Sequence, residues 1–162
     1  MRGAYKGLAA LIMLGVLVQA AAVAGGWFGT INEVDDGATI TSDYEGNFGH
    51  ALHGINGMMV MPALALIFLI ASIFARRVVP GAVKWAGIVF GVTLLQVALA
   101  FAAFSAPVLG ALHGINALVL LGAAARAGAL TRETHAAGTG TAPGAVPTQR
   151  TGTSSTGSNL PV

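Results

Sequence analysis

Ala51-Leu52-His53-Gly54-Ile55-Asn56 is spelled twice in this chain, the second time letter for letter as Ala111-Leu112-His113-Gly114-Ile115-Asn116. Each copy stands near the start of a long apolar run and is flanked by small residues. Apolar letters recur by chance in a chain rich in Ala, Leu and Gly. A histidine and an asparagine recurring at the same offset in so apolar a setting hardly do. The reading is a fold made from two parallel copies of a helix pair, each copy contributing one histidine.

Outward from the first copy, the apolar run covers residues 48–74 and ends at Arg76-Arg77. Pro62 lies inside it and cannot donate to the carbonyl four residues back, at Met58, which predicts a kink. The second copy opens a run from Val108 to about Ala125, closed by Arg126 and Arg132. Each run follows a partner run, 7–28 and 85–104, and Leu17-Val18-Gln19 in the one matches Leu94-Leu95-Gln96 in the other. About 20 apolar residues cross a bilayer as a helix. The expectation is all-α: an integral-membrane antiparallel four-helix bundle with helices at about 7–28, 48–75, 85–104 and 108–127. Arg2, Lys6 and the run Ala20-Ala21-Ala22 also resemble a signal peptide with its cleavage site. Cleavage would orphan the partner of the second helix, so the segment is read as retained.

Composition agrees. The chain is 55 % hydrophobic and 9 % charged, whereas about a quarter of residues are charged in soluble domains. Charges at bilayer depth cost kilocalories each, so spans exclude them. A formal charge of +2 and no basic stripe with interleaved aromatics set nucleic acid aside. With no cysteine, disulfides, thiolate metal sites and cysteine nucleophiles are excluded.

The connections are polar. Residues 29–47 hold Glu33, Asp35, Asp36, Asp43 and Glu45 and read as a loop with a short hairpin at 38–41. Trp27, Phe28 and Tyr44 suit the headgroup level. From Thr131 the chain is Gly, Thr, Ser, Ala and Pro, which divides it into a bundle at 1–130 and a disordered tail at 131–162. His135 falls in that tail and is given no role. Arg2, Lys6, Arg76, Arg77, Lys84, Arg126 and Arg132 all fall on one side of the four-span scheme, the five loop carboxylates on the other. The positive-inside rule then expects both termini in the cytoplasm, for a multi-pass protein of a bacterial inner membrane.

In this scheme the second and fourth helices run in the same direction, and His53 and His113 each lie roughly 9 Å below the outer end of their helix. Two parallel repeats imply a pseudo-two-fold axis along the membrane normal. Helices two and four are then diagonal partners, with axes roughly 11–14 Å apart where neighbours are 8–10 Å apart. That gap is wide for a hydrogen bond between imidazoles and suits two imidazoles with a metal-centred planar ring between them. Gly54 and Gly114 adjoin the histidines, and Gly57 and Ala117 lie one turn on; small residues there leave room for a ring, or let helices approach. The inner ends are not equivalent, since Arg126 comes 13 residues after His113 but Arg76 comes 23 after His53. Either the fourth helix runs on toward Leu130 or the second projects from the bilayer.

Other polar residues carry two readings each. A histidine inside a span is a functional hypothesis, yet a duplicated pair also serves helix packing. His50, one turn above His53, has Gly110 as its counterpart. It is a candidate to bind a haem propionate, to act as an alternative ligand, to complete a zinc or copper site with His53 and His113, or simply to face headgroups. Asn56, Asn116, Gln19 and Gln96 read as amide glue between helices or as groups orienting an imidazole through its second nitrogen. Met58, Met59 and Met61 point in three directions and read as filler.

With these residues in place, the chain resembles the four-helix haem-binding membrane proteins, a group that includes the cytochrome b561-like proteins and the repeated halves of haem A synthase. It is also similar to a family of small four-span bacterial membrane proteins of unknown function, with Gln in helices one and three and a histidine–asparagine signature in helix four. The likeness covers about residues 5–126 and rests on Gln19, His53, Gln96, Leu112-His113-Gly114-Ile115-Asn116 and the topology. It implies one b-type haem held by His53 and His113. It does not extend to two haems, since the bundle has three histidines near one face, nor to synthase activity, since there is one bundle and no cysteine pair. The expected function is electron transfer, with a quinone or another redox partner, or haem handling. The alternatives are a non-enzymatic membrane scaffold and a histidine-based metal-ion or proton-handling protein.

Overall fold

The four apolar runs become four helices in the computed structural model, which describes residues 1–139, with side chains through Arg132. They are α1 (Arg2–Asp35), α2 (Phe48–Ala75), α3 (Ala82–Ser105) and α4 (Leu109–Thr139). All four are long and apolar enough to cross a membrane, which makes this a multi-pass membrane protein by length and composition. Burial follows the same logic. The buried positions are small, among them Ala9, Ala65, Ala82, Ala86, Ala124 and Ala127, while Leu14, Phe74, Phe101 and Leu118 stand more than half exposed. In water that pattern would be inside out. In lipid, small residues let helix backbones approach and large apolar side chains face the acyl chains.

Each helix packs on two neighbours: α1 on α2 and α4, α3 on α2 and α4. At one end the basic residues gather. The Arg2 guanidinium donates to the Val78 carbonyl at 3.1 Å, the Tyr5 hydroxyl donates to Ala82 O at 3.2 Å, and Arg126 lies over the Trp85 ring at 5.6 Å. Gly81, with φ of +81°, makes the turn into α3 that a side chain would strain. The acidic loop lies at the opposite end.

Several boundaries differ from the sequence expectation. α1 runs seven residues past 28 to Asp35, because Gly26 packs against α2 and Thr30 is buried under Tyr44. The hairpin expected at 38–41 does not form; that stretch is an irregular turn with Ala38 N bonded back to Glu33 O at 2.9 Å. α4 continues to Thr139, so residues 131–139 are helix rather than tail, and the rest of the expected tail lies outside the described residues. This also resolves the mismatch of inner ends: α4 runs on past Arg126.

The kink expected at Pro62 takes a specific form. Asn56–Val60 is a π turn, in which Met61 N donates to Asn56 O, five residues back, and an α-helix resumes at Met61 with Pro62 in its first turn. A proline lacks a donor and crowds the carbonyl four residues earlier; the wider turn accommodates both, and such turns recur at functional sites.

The core fills only one half of the bundle. Its members are Tyr5, Ala9, Ile12 and Val16 of α1, Met61, Phe68 and Ala75 of α2, Ala82, Ala86 and Val89 of α3, and Leu120, Ala123, Ala124, Ala127 and Leu130 of α4. All lie on the basic side of the π turn. On the acidic side the first segment of α2, Phe48–Ile55, packs on α1, and α3 packs on α4. The buried core thus lies at the basic end.

Candidate functional site

The two repeated histidines come close to one another. The His53 and His113 ring centroids are 6.2 Å apart and the ring planes are inclined at 60°. α2 and α4, the diagonal partners, therefore bring the rings together, and no hydrogen bond joins them among the described residues.

Each ring is held from its own helix pair in the same way. His53 Nδ1 lies 3.2 Å from Gln19 O on α1, and His113 Nδ1 lies 3.0 Å from Gln96 O on α3. A carbonyl oxygen can only accept, so Nδ1 of each ring carries the proton. In a neutral imidazole the lone pair then resides on Nε2, which makes no hydrogen bond to any described residue. This is the arrangement in which a histidine serves as a metal ligand, one nitrogen anchored and the other free.

The amides around them are similar but not identical. Asn116, 7 % exposed, donates to Val92 O at 3.0 Å and to Gln96 Oε1 at 2.7 Å, and Gln96 Nε2 donates to His113 O at 3.0 Å. Asn56, also 7 % exposed, donates to Gly15 O at 3.3 Å. Gln19 Oε1 is buried and has no partner. A Cβ placed on Gly57 would strike Gln19 Nε2, whereas the second pair has Ala117 at the matching place. Beside the histidines, Gly54 and Gly114 have nothing within 4 Å of an added Cβ, so the space there is open.

His50 is placed elsewhere. Its Nδ1 accepts from Asn47 N at 3.3 Å as half of the box that caps α2, and its ring meets Trp27 edge-on at 6.3 Å. Gly26 allows this approach, since a Cβ there would lie 3.1 Å from His50 Nε2. No three His, Asp or Glu side chains among the described residues gather into a group able to hold a metal ion, so the three-histidine arrangement is not assembled. Met58 and Met59 are exposed and Met61 is in the core, as filler.

Two features escaped the sequence reading. The imidazoles are anchored by the backbone carbonyls of Gln19 and Gln96 rather than by amide side chains; the matched Leu-x-Gln triplets were the available signal. The acidic loop is pinned by Tyr44, which donates to Glu33 Oε2 at 2.7 Å and lies 2.8 Å from Thr30 Oγ1. No sequence pattern marked that contact. No family model, curated protein or solved structure matches the chain.

Proposed function

We propose that the chain is a membrane haem protein in which His53 and His113 hold one haem b from opposite faces. The observation that carries this is the pair of Nδ1–H to carbonyl hydrogen bonds with the rings set 6.2 Å apart. His53 and His113 are the residues that would hold the group, each through the Nε2 lone pair that its Nδ1–H anchor leaves free. Gly54 and Gly114, beside the histidines, are exposed, with nothing within 4 Å of an added Cβ, so no side chain crowds either flank. The resemblance to cytochrome b561-like proteins and haem A synthase halves points the same way. So does the repeated hexapeptide, which we read as a duplicated helix pair about a pseudo-two-fold axis.

The charge distribution supports an orientation with both termini and the α2–α3 connection in the cytoplasm of a bacterium, the site lying toward the outer leaflet. Held by His53 and His113, haem would supply one-electron chemistry. The protein's residues anchor both imidazoles, fix their tautomers and seal the basic half with packed alanines. This arrangement suits electron transfer between a membrane quinol and an extracytoplasmic acceptor, or haem handling, better than oxygen chemistry. The scaffold reading has its own support in Asn56 and Asn116, which bond across helices as packing amides do. Pyridine haemochrome quantitation of protein purified in detergent decides between them. About one haem per chain is expected; protein that stays colourless when expressed with haem precursor supports the scaffold.

A further inference from the structure

The two histidines are matched in sequence and unequal in support. His113 sits in a closed network. Its carbonyl accepts from Gln96 Nε2, Gln96 Oε1 accepts from Asn116, and Asn116 also reaches Val92 O. His53 has the imidazole anchor alone. The bond equivalent to Gln96 Nε2–His113 O is absent between Gln19 and His53, and Gln19 Oε1 is left buried without a donor. Directly below His53 the helix opens into the π turn Asn56–Val60, whereas α4 is regular through the matching residues. The segment bearing His53, Phe48–Ile55, packs on α1 and ends at that turn.

We propose that His113 is the fixed ligand and His53 the exchangeable one, so that a small neutral ligand with a donor atom for the iron enters on the His53 side. This rests on the haem reading and adds to it a route by which the site becomes open. The cause of the difference is Gly57. With no Cβ there, the Gln19 amide lies over α2 instead of turning to the His53 carbonyl; the second pair has Ala117 at the matching place, and its Gln96 amide bonds to the His113 carbonyl. A methyl group at residue 57 would displace the end of a flexible side chain rather than backbone. Gly57→Ala is therefore expected to turn Gln19 toward His53 O and Asn56, copying the second pair.

The experiment uses the full chain loaded with haem, with carbon monoxide and imidazole as probes. His53→Ala keeps haem, turns from a low-spin to a high-spin spectrum, binds carbon monoxide, and recovers the low-spin spectrum in imidazole. His113→Ala loses haem under the same purification. Because loss of an imidazole anchor also disturbs folding, the second measurement is on folded wild type. Reduced wild type takes up carbon monoxide, and Gly57→Ala does so roughly tenfold more slowly, the effect of one or two added hydrogen bonds at about 0.5–1.5 kcal/mol each. Equal haem loss in both alanine variants, retention in His113→Ala with loss in His53→Ala, or unchanged uptake in Gly57→Ala overturns the inference and leaves the haem reading intact. Wild type without haem overturns both.

Discussion

Gly49 packs directly on the α1 backbone at Gly26 and Ala22, and Gly49→Ala tests whether the histidine-bearing segment is held as described. A Cβ at residue 49 would meet the Gly26 backbone nitrogen, with Gly26 Cα at 2.6 Å and Ala22 O at 2.7 Å. These are backbone atoms of a neighbouring helix and cannot rotate away. Ordinary contact begins at about 3.4 Å, so the helices must part by most of an ångström or more, a strain of about 1–3 kcal/mol by analogy with overpacked cores. Two controls isolate the cause. At Gly15 an added Cβ also meets an obstacle, but it is the Met61 sulfur, on a side chain that adapts readily; Gly15→Ala should cost less than about 1 kcal/mol. At Gly54 nothing lies within 4 Å, and Gly→Ala in a helix interior is expected to stabilise by about 0.5–1 kcal/mol. The assay is unfolding in mixed micelles by added SDS, followed by circular dichroism. Gly49→Ala as stable as wild type, or Gly54→Ala as damaged as Gly49→Ala, would refute the packing argument.

Further expectations follow from other contacts. Asn116→Leu removes donors to Val92 O and to Gln96 Oε1, leaving the latter part-buried and unpaired; it should cost about 1–3 kcal/mol, against a smaller loss for Asn56→Leu, measured in the same unfolding assay. Trp85→Leu removes the ring under Arg126 and should cost about 0.5–2 kcal/mol, with no change in the spectrum of bound haem. Because the chain has no cysteine, Ser42→Cys and Pro80→Cys give single labels at opposite ends. In intact cells an impermeant maleimide should modify Ser42→Cys alone, and labelling of Pro80→Cys alone would reverse the orientation.

Much of this architecture was legible because lipid imposes simple rules. Charge-free runs of spanning length and the sidedness of Arg and Lys marked four helices, and the repeated His-Gly-Ile-Asn placed His53 and His113 at one level. What hid was set by contacts between distant residues. α1 outlasts its apolar run because Gly26 meets Gly49 and Tyr44 reaches back to Thr30 and Glu33, none of which periodicity reveals. Pro62 predicted a disturbance, but no pattern in the sequence marks it as a π turn at Asn56–Val60. His50 looked like a candidate ligand one turn from His53. Only the capping bond with Asn47 shows that its ring is occupied at the helix end. The inequality between Gln19 and Gln96 was likewise invisible, because both sit in matching triplets and differ only in what Gly57 and Ala117 permit.

The absorption spectrum of the purified protein, oxidised and then reduced with dithionite, tests the central claim most directly. The account predicts the sharp low-spin bands of a haem with two imidazole ligands in both states, their low-spin character lost in His53→Ala and the haem itself in His113→Ala. A spectrum that is high-spin in wild type, or one that survives both substitutions unchanged, would contradict ligation by His53 and His113.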